Sequence, residues 1–241
     1  MTLLTLAHGS RHPESPAAVE AVTAAAGARL GVPAAASYLE LQRPDLASAA
    51  TRAAGAGARS AVVVPLLFTR AYHVKNDVPA AAARAAGSGL SLTLAAPLGL
   101  GEDVARLLAG IARAEAAPRA HLVLYAVGSS DTAANREVEN LGRRVAHATG
   151  LTLSVVYATR GGVAALAREA ARHQHLHVLP LFVAPGLLLD LAMAALPGIR
   201  DNTGARISAS APLGARLAPL VAARYRAAVA ESCPERDGRA A

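Results

Sequence analysis

Two histidines in the first half of the chain, with a glutamate between them, are the residues best suited to chemistry. His8 follows a short apolar run and precedes Gly-Ser, and His73 follows a second apolar run. Imidazole can titrate or coordinate a metal ion near neutral pH. Glu40 adds a carboxylate that can act as a third ligand or as a general acid. Together these side chains predict a site that binds a metal ion or transfers protons.

An internal repeat separates residues needed for folding from residues available for chemistry. Four segments of the first half recur in the same order in the second half. The pairs are Ala7-His8-Gly9-Ser10 with Ala126-Val127-Gly128-Ser129, Ser37-Tyr38 with Val156-Tyr157, Val64-Pro65-Leu66 with Leu179-Pro180-Leu181, and Ala96-Pro97-Leu98-Gly99 with Ala211-Pro212-Leu213-Gly214. Val127 stands where the first half has His8, and Leu188 stands where it has His73. The repeat therefore predicts one working site and one degenerate copy.

The elements that must position these residues are strands alternating with helices. The apolar runs of the first half predict strands over 2–7, 35–41, 60–68 and 90–95, and the helical spacings predict helices over 16–30, 44–56, 78–86 and 103–115. This order predicts an α/β fold of two duplicated, doubly wound parallel-sheet domains that face each other across a cleft. Ligands of such sheets bind beyond the carboxyl ends of the strands, which is where the candidate residues fall.

The repeat also predicts the domain boundaries. We expect an N-terminal domain over residues 1–118 that carries the active site, and a degenerate second copy over 119–230. The polar residues 231–241 are predicted to form a disordered tail.

Three further histidines form the densest cluster in the chain. His173, His175 and His177 alternate with other residues, so on a strand they would share one face. They precede a strand predicted over 178–183, which puts them at the amino edge of the sheet. We interpret them as part of a solvated loop, and their role stays open.

Composition and charge limit the classes of partner that this protein can be expected to bind. The 241 residues include 24 basic and 17 acidic side chains, a net charge of +7, and only 3% aromatic residues. With no basic stripe and few rings to stack on bases, nucleic acid is a poor partner. A single cysteine, no signal peptide and no apolar run of membrane-spanning length predict a cytoplasmic protein without membrane contact. No nucleotide-binding glycine motif is present, so no organic cofactor is expected.

Three motifs of the first half carry a family resemblance. They read Leu-Ala-His-Gly-Ser-Arg at 6–11, Tyr-Leu-Glu-Leu-Gln-Arg-Pro at 38–44, and Val-Pro-Leu-Leu-Phe at 64–68 followed by His-Val-Lys-Asn-Asp-Val-Pro at 73–79. In order and spacing they resemble the sirohydrochlorin chelatases, the class II cobalto- and ferrochelatases, in their long two-copy form. The resemblance covers residues 1–230 and is faint in the second half.

The resemblance implies a lyase that inserts Co²⁺ or Fe²⁺ into sirohydrochlorin without ATP, in sirohaem or cobalamin biosynthesis. The metal ion is then a substrate rather than a cofactor, and the anionic tetrapyrrole is the other partner. The same resemblance implies that His8 and His73 bind the metal, that His8 also accepts protons, and that Glu40 is the acidic residue near the metal.

The resemblance further implies contacts with the macrocycle. The residues that align with the substrate-contact positions of the family are Arg43, Phe68, Thr69, Arg70, Ala71 and Tyr72. Position 43 is often acidic in relatives, so the role of Arg43 stays open. On charge alone, Arg11, Arg70 and Lys75 are predicted to bind the carboxylates of the macrocycle.

Two alternatives stay open at this point. One is a non-catalytic carrier of metal or tetrapyrrole built on the same scaffold. The other is a transferase that uses His8 as a nucleophile and works without a divalent metal. The sequence does not determine the metal used in the cell, the pathway or the oligomeric state.

Overall fold

The computed structural model describes residues 1–69 and 77–232, and in it each half of the chain forms a four-stranded parallel sheet. The elements of the first half are β1 Thr2–Ala7, α1 Ser15–Leu30, β2 Ala34–Tyr38, α2 Leu46–Gly55, β3 Ser60–Pro65, α3 Val78–Ala85, β4 Ser91–Leu94 and α4 Glu102–Glu115. Those of the second half are β5 His121–Ala126, α5 Thr132–Thr149, β6 Leu153–Tyr157, α6 Gly162–Arg172, β7 His175–Pro180, α7 Leu187–Thr203, β8 Arg206–Ala209 and α8 Ala218–Ser232.

Both sheets have the same strand order. The first runs β2-β1-β3-β4 and the second runs β6-β5-β7-β8, with every neighbouring pair parallel. All six residues of β1 and of β5 are buried, because helices cover both faces of each sheet. The strand order reverses between β1 and β3, and between β5 and β7. In open parallel sheets, ligands bind at such a reversal, beyond the carboxyl ends of the strands.

One hydrophobic core joins the two halves. It contains residues of both sheets together with α1, α4, α5 and α8. The last helix of each half crosses to the other half, because α4 packs on α5 and β7 while α8 packs on α1, β3 and β4. Separate cores lie on the outer faces, with α2 and α3 on the first sheet and α6 and α7 on the second. The halves are thus held together by an exchange of helices.

The predicted fold class is confirmed, and β1 has the bounds that its apolar run predicts. The predicted strand over 35–41 is too long, because β2 ends at Tyr38 and Leu41 has a left-handed backbone with φ of 63°. The final helix reaches Ser232, two residues into the predicted tail. Residues 233–241 lie outside the described part of the chain.

The interpretation of the second-half histidine cluster as a solvated loop is wrong for His175 and His177, whereas His173 does lie in the loop between α6 and β7. Strand β7 begins at His175, so His175 and His177 are strand residues, and His177 is only 1% exposed. Burial is possible because the hydroxyl groups of Ser208 and Ser210 meet both ring nitrogens of His177, at 2.8 and 3.0 Å. The predicted location at the amino edge of the sheet is correct.

Across residues 1–69 and 77–232, every helix is too short or too polar to cross a lipid bilayer.

Candidate functional site

A cleft of about 810 Å³ lies between the two halves at the carboxyl ends of their strands. Its volume falls in the range of small-molecule sites, which favour the interfaces between domains. The first half contributes the residues after β1, β2 and β3, and the second half contributes those after β5 and β7. They are Ala7, His8, Gly9, Ser10, Arg11, Ser15, Val19, Glu40, Leu41, Leu66, Leu67, Phe68 and Thr69 from the first half, and Ala126, Val127, Gly128, Ser129, Asn135, Val138, Leu181, Phe182, Val183, Ala184, Pro185, Gly186, Leu187 and Leu188 from the second.

A glycine allows the loops after β1 and β2 to lie against each other. The backbone N–H of Glu40 donates to the carbonyl oxygen of His8 at 3.1 Å. Gly9 has a φ of 101°, and a Cβ atom there would lie 1.9 Å from the carbonyl oxygen of Glu40. Any side chain at position 9 would therefore push the two loops apart. The Gly-Ser turn that the repeat singles out is thus what brings His8 and Glu40 together.

His8 and Glu40 are in direct contact at the first-half wall of the cleft. The ring Nδ1 of His8 lies 3.2 Å from the carboxylate Oε1 of Glu40, with side chains 39% and 54% exposed. An imidazole and a carboxylate in contact form a pair that can bind a divalent cation or take part in proton transfer.

The second half has the same backbone without the same chemistry. The N–H of Thr159 donates to the carbonyl oxygen of Val127 at 3.1 Å, as Glu40 does to His8. Gly128 takes the place of Gly9, with a φ of 87°. The Thr159 hydroxyl donates to the same Val127 oxygen at 2.8 Å, so it is engaged with the backbone. This wall of the cleft is therefore apolar where the opposite wall carries an imidazole and a carboxylate.

Two tyrosines at equivalent positions of the two halves donate hydrogen bonds to backbone carbonyl groups of neighbouring helices. The hydroxyl of Tyr38 donates to the Pro16 carbonyl at 3.4 Å, and that of Tyr157 donates to the Asn135 carbonyl at 2.9 Å. Burial raises the pKa of Tyr38, and burial together with the nearby Glu139 carboxylate raises the pKa of Tyr157 to about 12. Both hydroxyls therefore stay neutral and link the end of a strand to the first turns of α1 and α5.

A hydrogen-bonded pair that sequence reasoning missed joins the halves beside the cleft. His12 Nε2 lies 2.8 Å from Asp190 Oδ2 of α7. His12 Nδ1 accepts the backbone N–H of Glu14 at 3.1 Å, so the proton of the neutral ring belongs on Nε2 and is donated to Asp190. The two residues are far apart in sequence, and no spacing pattern links them.

The structure brings part of the predicted substrate-binding set to the cleft. Arg11, Phe68 and Thr69 line it, and Arg11 is exposed. Arg43 does not line the cleft, because its guanidinium pairs with Asp45 at 2.5 Å and its side chain is 81% exposed. The remaining predicted residues lie outside the described part of the chain, after the cleft-lining Thr69. They are Arg70, Ala71, Tyr72, His73 and Lys75.

Comparisons with known proteins bear on the family and the fold. A family model described as CbiX matches residues 2–114, the half that carries His8 and Glu40. Searching curated proteins finds no match to the chain.

Three solved structures have the same fold over nearly the whole chain. SirB from Bacillus subtilis with Fe³⁺ has a TM-score of 0.76 and 22% identity, and the match covers 99% of this chain and 97% of SirB. The sirohydrochlorin chelatase SirB from Bacillus subtilis subspecies spizizenii, in complex with cobalt, has a TM-score of 0.73 with the same identity and coverage. A CbiX described as the terminal enzyme for biosynthesis of siroheme in denitrifying bacteria has a TM-score of 0.68 and 18% identity over 95% of this chain and 99% of that one.

Proposed function

We propose that this chain, whose residues 2–114 match the CbiX family model, is a sirohydrochlorin chelatase that inserts Co²⁺ or Fe²⁺ into the macrocycle without ATP. The observation that carries the proposal is the contact between His8 and Glu40 at the reversal of strand order, on the wall of an interdomain cleft. The structures of similar fold include sirohydrochlorin chelatases, two of them with iron or cobalt bound.

The shape and polarity of the cleft suit a flat tetrapyrrole. Its second-half wall presents Val127, Leu187 and Leu188, which are 42%, 56% and 37% exposed. Apolar side chains left open to water on one wall favour contact with the face of a ring system. His8 and Glu40 belong to the opposite wall, so a macrocycle bound between the walls would meet these apolar side chains on one face and His8 on the other.

The charge near the cleft suits the anionic rim of the macrocycle. Arg11 lines the cleft in the loop after β1, and a guanidinium can bind a carboxylate through two parallel hydrogen bonds. The net charge of +7 has the sign that attracts a polycarboxylate. Arg70 and Lys75 are proposed to add to this cationic rim.

The chemistry follows from what metal insertion requires. Two pyrrole N–H groups must lose their protons while the metal ion loses water. An imidazole can hold a divalent cation loosely or accept a proton, and the adjacent carboxylate of Glu40 stabilises the positive charge in either case. We propose that His8 accepts the protons and that His8 and His73 together deliver the metal. Nitrogen and oxygen ligands suit both Fe²⁺ and Co²⁺, so either metal fits the site.

A metallation assay under anaerobic conditions tests the proposal. The purified chain is mixed with an excess of sirohydrochlorin and either Co²⁺ or Fe²⁺, and the change in macrocycle absorption is followed. We expect many turnovers per protein at a rate well above that of the mixture without protein. A single equivalent of metallated product per chain would favour a carrier. A rate equal to that without protein would contradict the proposal.

A further inference from the structure

A second cluster of possible metal ligands lies at the opposite end of the second sheet from the cleft. His121 is the first residue of β5, and Glu169 belongs to the last turn of α6. His173 directly follows α6. In a parallel sheet the amino ends of all strands meet at one edge, and α6 ends there because it leads into β7. The cluster shares no residue with the cleft.

The imidazole of His121 is fixed by two hydroxyl groups of the neighbouring strand segment. Its Nδ1 lies 2.7 Å from Thr152 Oγ1 and its Nε2 lies 2.9 Å from Ser154 Oγ. The Ser154 hydroxyl donates its one proton to Glu169 Oε2 at 2.9 Å, so its oxygen accepts from His121 Nε2. Thr152 can serve Nδ1 as donor or acceptor. The ring can therefore move its proton to Nδ1 and release Nε2 without losing its position.

Glu169 Oε2 lies between the two imidazoles. It is 3.5 Å from His121 Nε2 and 3.8 Å from His173 Nε2. One ligand atom from each of the three residues lies within 4.8 Å of the other two. Ligands about 2.1 Å from a tetrahedral ion are separated by roughly 3.4 Å, so the carboxylate is already close to ligand spacing from both rings.

We propose that His121, Glu169 and His173 bind a divalent transition-metal ion such as Zn²⁺ or Co²⁺. Two imidazoles and a carboxylate form a donor set that these ions take in proteins, with water completing the coordination. The Thr152 hydroxyl would accept a hydrogen bond from Nδ1–H of His121, and the Ser154 hydroxyl would donate one to the Glu169 carboxylate. Such outer hydrogen bonds orient metal ligands. Arg172 approaches the other carboxylate oxygen, Oε1, at 3.7 Å, and leaves Oε2 to the metal.

Binding requires one ring to turn. The His121 and His173 rings are stacked, with centroids 3.7 Å apart and planes within 1° of parallel. An imidazole nitrogen binds a metal in the plane of its ring, so two stacked rings cannot share an ion. His173 is the ring that turns, because its side chain is 33% exposed whereas that of His121 is 7% exposed and held by hydroxyls.

His177, in the same sheet, is a buried histidine that can be compared with His121. His177 is also held between two hydroxyls of the next strand, Ser208 and Ser210. Its nearby carboxylate, Glu115, is paired with Arg216 at 2.8 Å. Among residues 1–69 and 77–232, His177 belongs to no group of three possible ligands. His121 differs in having a second imidazole nearby and a carboxylate oxygen, Glu169 Oε2, that lies close to both rings.

Metal titration of the full chain tests this site apart from the cleft. The background variant His8→Ala/His73→Ala removes the proposed metal pair of the first half. Co²⁺ is added to it and the visible absorption of the bound ion is recorded, with Zn²⁺ competition as a second reading. We expect one bound ion per chain. Adding His173→Ala or Glu169→Gln should weaken binding by at least about 10-fold, whereas the exposed control His147→Ala should leave it unchanged.

Zn²⁺ should also raise the melting temperature of the background variant, because an ion that binds only the folded chain stabilises it. His173→Ala should abolish that increase. Equal affinity in the His173→Ala, Glu169→Gln and His147→Ala variants would overturn the proposal, as would absence of a bound ion in the background variant. The chelatase assay does not enter this test, so a failed metal site and a failed chelatase proposal would be distinguished.

Discussion

The two halves place their described histidines at opposite ends of the same kind of sheet. In the first half His8 follows the carboxyl end of β1 and faces an open cleft. In the second half His121 begins β5 and His177 lies within β7, both buried and held by hydroxyls. A side chain beyond a strand end can change without disturbing the sheet, as Val127 shows. A histidine inside the sheet requires partners for both nitrogens.

What the halves share is backbone geometry. Gly9 and Gly128 both have positive φ where a loop crosses the end of the neighbouring strand. Tyr38 and Tyr157 both brace the first turns of a helix. A duplicated fold thus keeps the residues that shape its loops, while the side chains that face the cleft differ between copies.

The largest expected effect comes from removing the imidazole that only the first half has at the cleft. His8→Ala should lower kcat for sirohydrochlorin metallation by about 10²- to 10⁴-fold, because the proposed proton acceptor and metal ligand are lost together. Val127→Ala, the equivalent change in the other half, should reduce kcat far less. Steady-state metallation rates of both folded variants measure this. Equal losses would show that the halves are not chemically different.

The carboxylate beside His8 should matter less than the imidazole. Glu40→Gln should lower kcat by roughly 10- to 100-fold, because Gln cannot balance the charge that His8 gains. Glu40→Asp should recover part of the loss, which a purely structural role would not require. Thr159→Ala supplies the matched control, since Thr159 occupies the Glu40 position in the second half. Full activity of Glu40→Gln would remove Glu40 from the mechanism.

The buried histidine of β7 should make stability depend on pH. Burial lowers the pKa of His177, against the opposing effect of the Glu115 charge. The unfolded chain therefore binds a proton more readily, and stability falls as pH drops below about 6.5. His177→Asn should lower stability at pH 7.5 by about 1–3 kcal/mol through lost hydrogen bonds.

Between pH 7.5 and pH 5 the His177→Asn variant should lose less stability than the unsubstituted chain, because it lacks the buried ring that must gain a proton on unfolding. Urea unfolding at several pH values measures both quantities, with the exposed His147→Asn as control. An unchanged pH dependence in His177→Asn would contradict the assignment of a neutral, buried ring.

The smallest effect is expected at the contact between halves. Asp190→Asn removes the charged partner of His12, and a partly exposed pair of this kind contributes about 1 kcal/mol or less. We expect a rise in KM for sirohydrochlorin of a few-fold with unchanged kcat, because the walls of the cleft would be less firmly aligned. Asp201→Asn, at an exposed position of the same helix, is the control. A reduced kcat with unchanged KM would assign Asp190 to the chemistry instead.

The predictions that succeeded rest on patterns formed by residues close together in sequence. The apolar runs predicted β1 with its observed bounds, and the repeat predicted two similar sheets. The predicted chelatase family is supported by the match to residues 2–114. Two predicted strand boundaries were wrong. β2 ends before Leu41, where the backbone turns into a left-handed conformation, and β7 begins at His175, earlier than its polar sequence indicates. The pairing of His8 with His73 stays a prediction.

The sequence by itself determined the fold class, the duplication and the residue types at the strand ends, because periodicity, turn glycines and repeated motifs are local properties. Only the tertiary structure decided that α4 and α8 exchange halves, that His12 meets Asp190, and that His121 shares a carboxylate with His173. These contacts join distant parts of the chain. The contacts between the halves follow from how the two sheets pack through a common core, and the His121 cluster follows from how α6 packs on the second sheet. No local pattern encodes either arrangement.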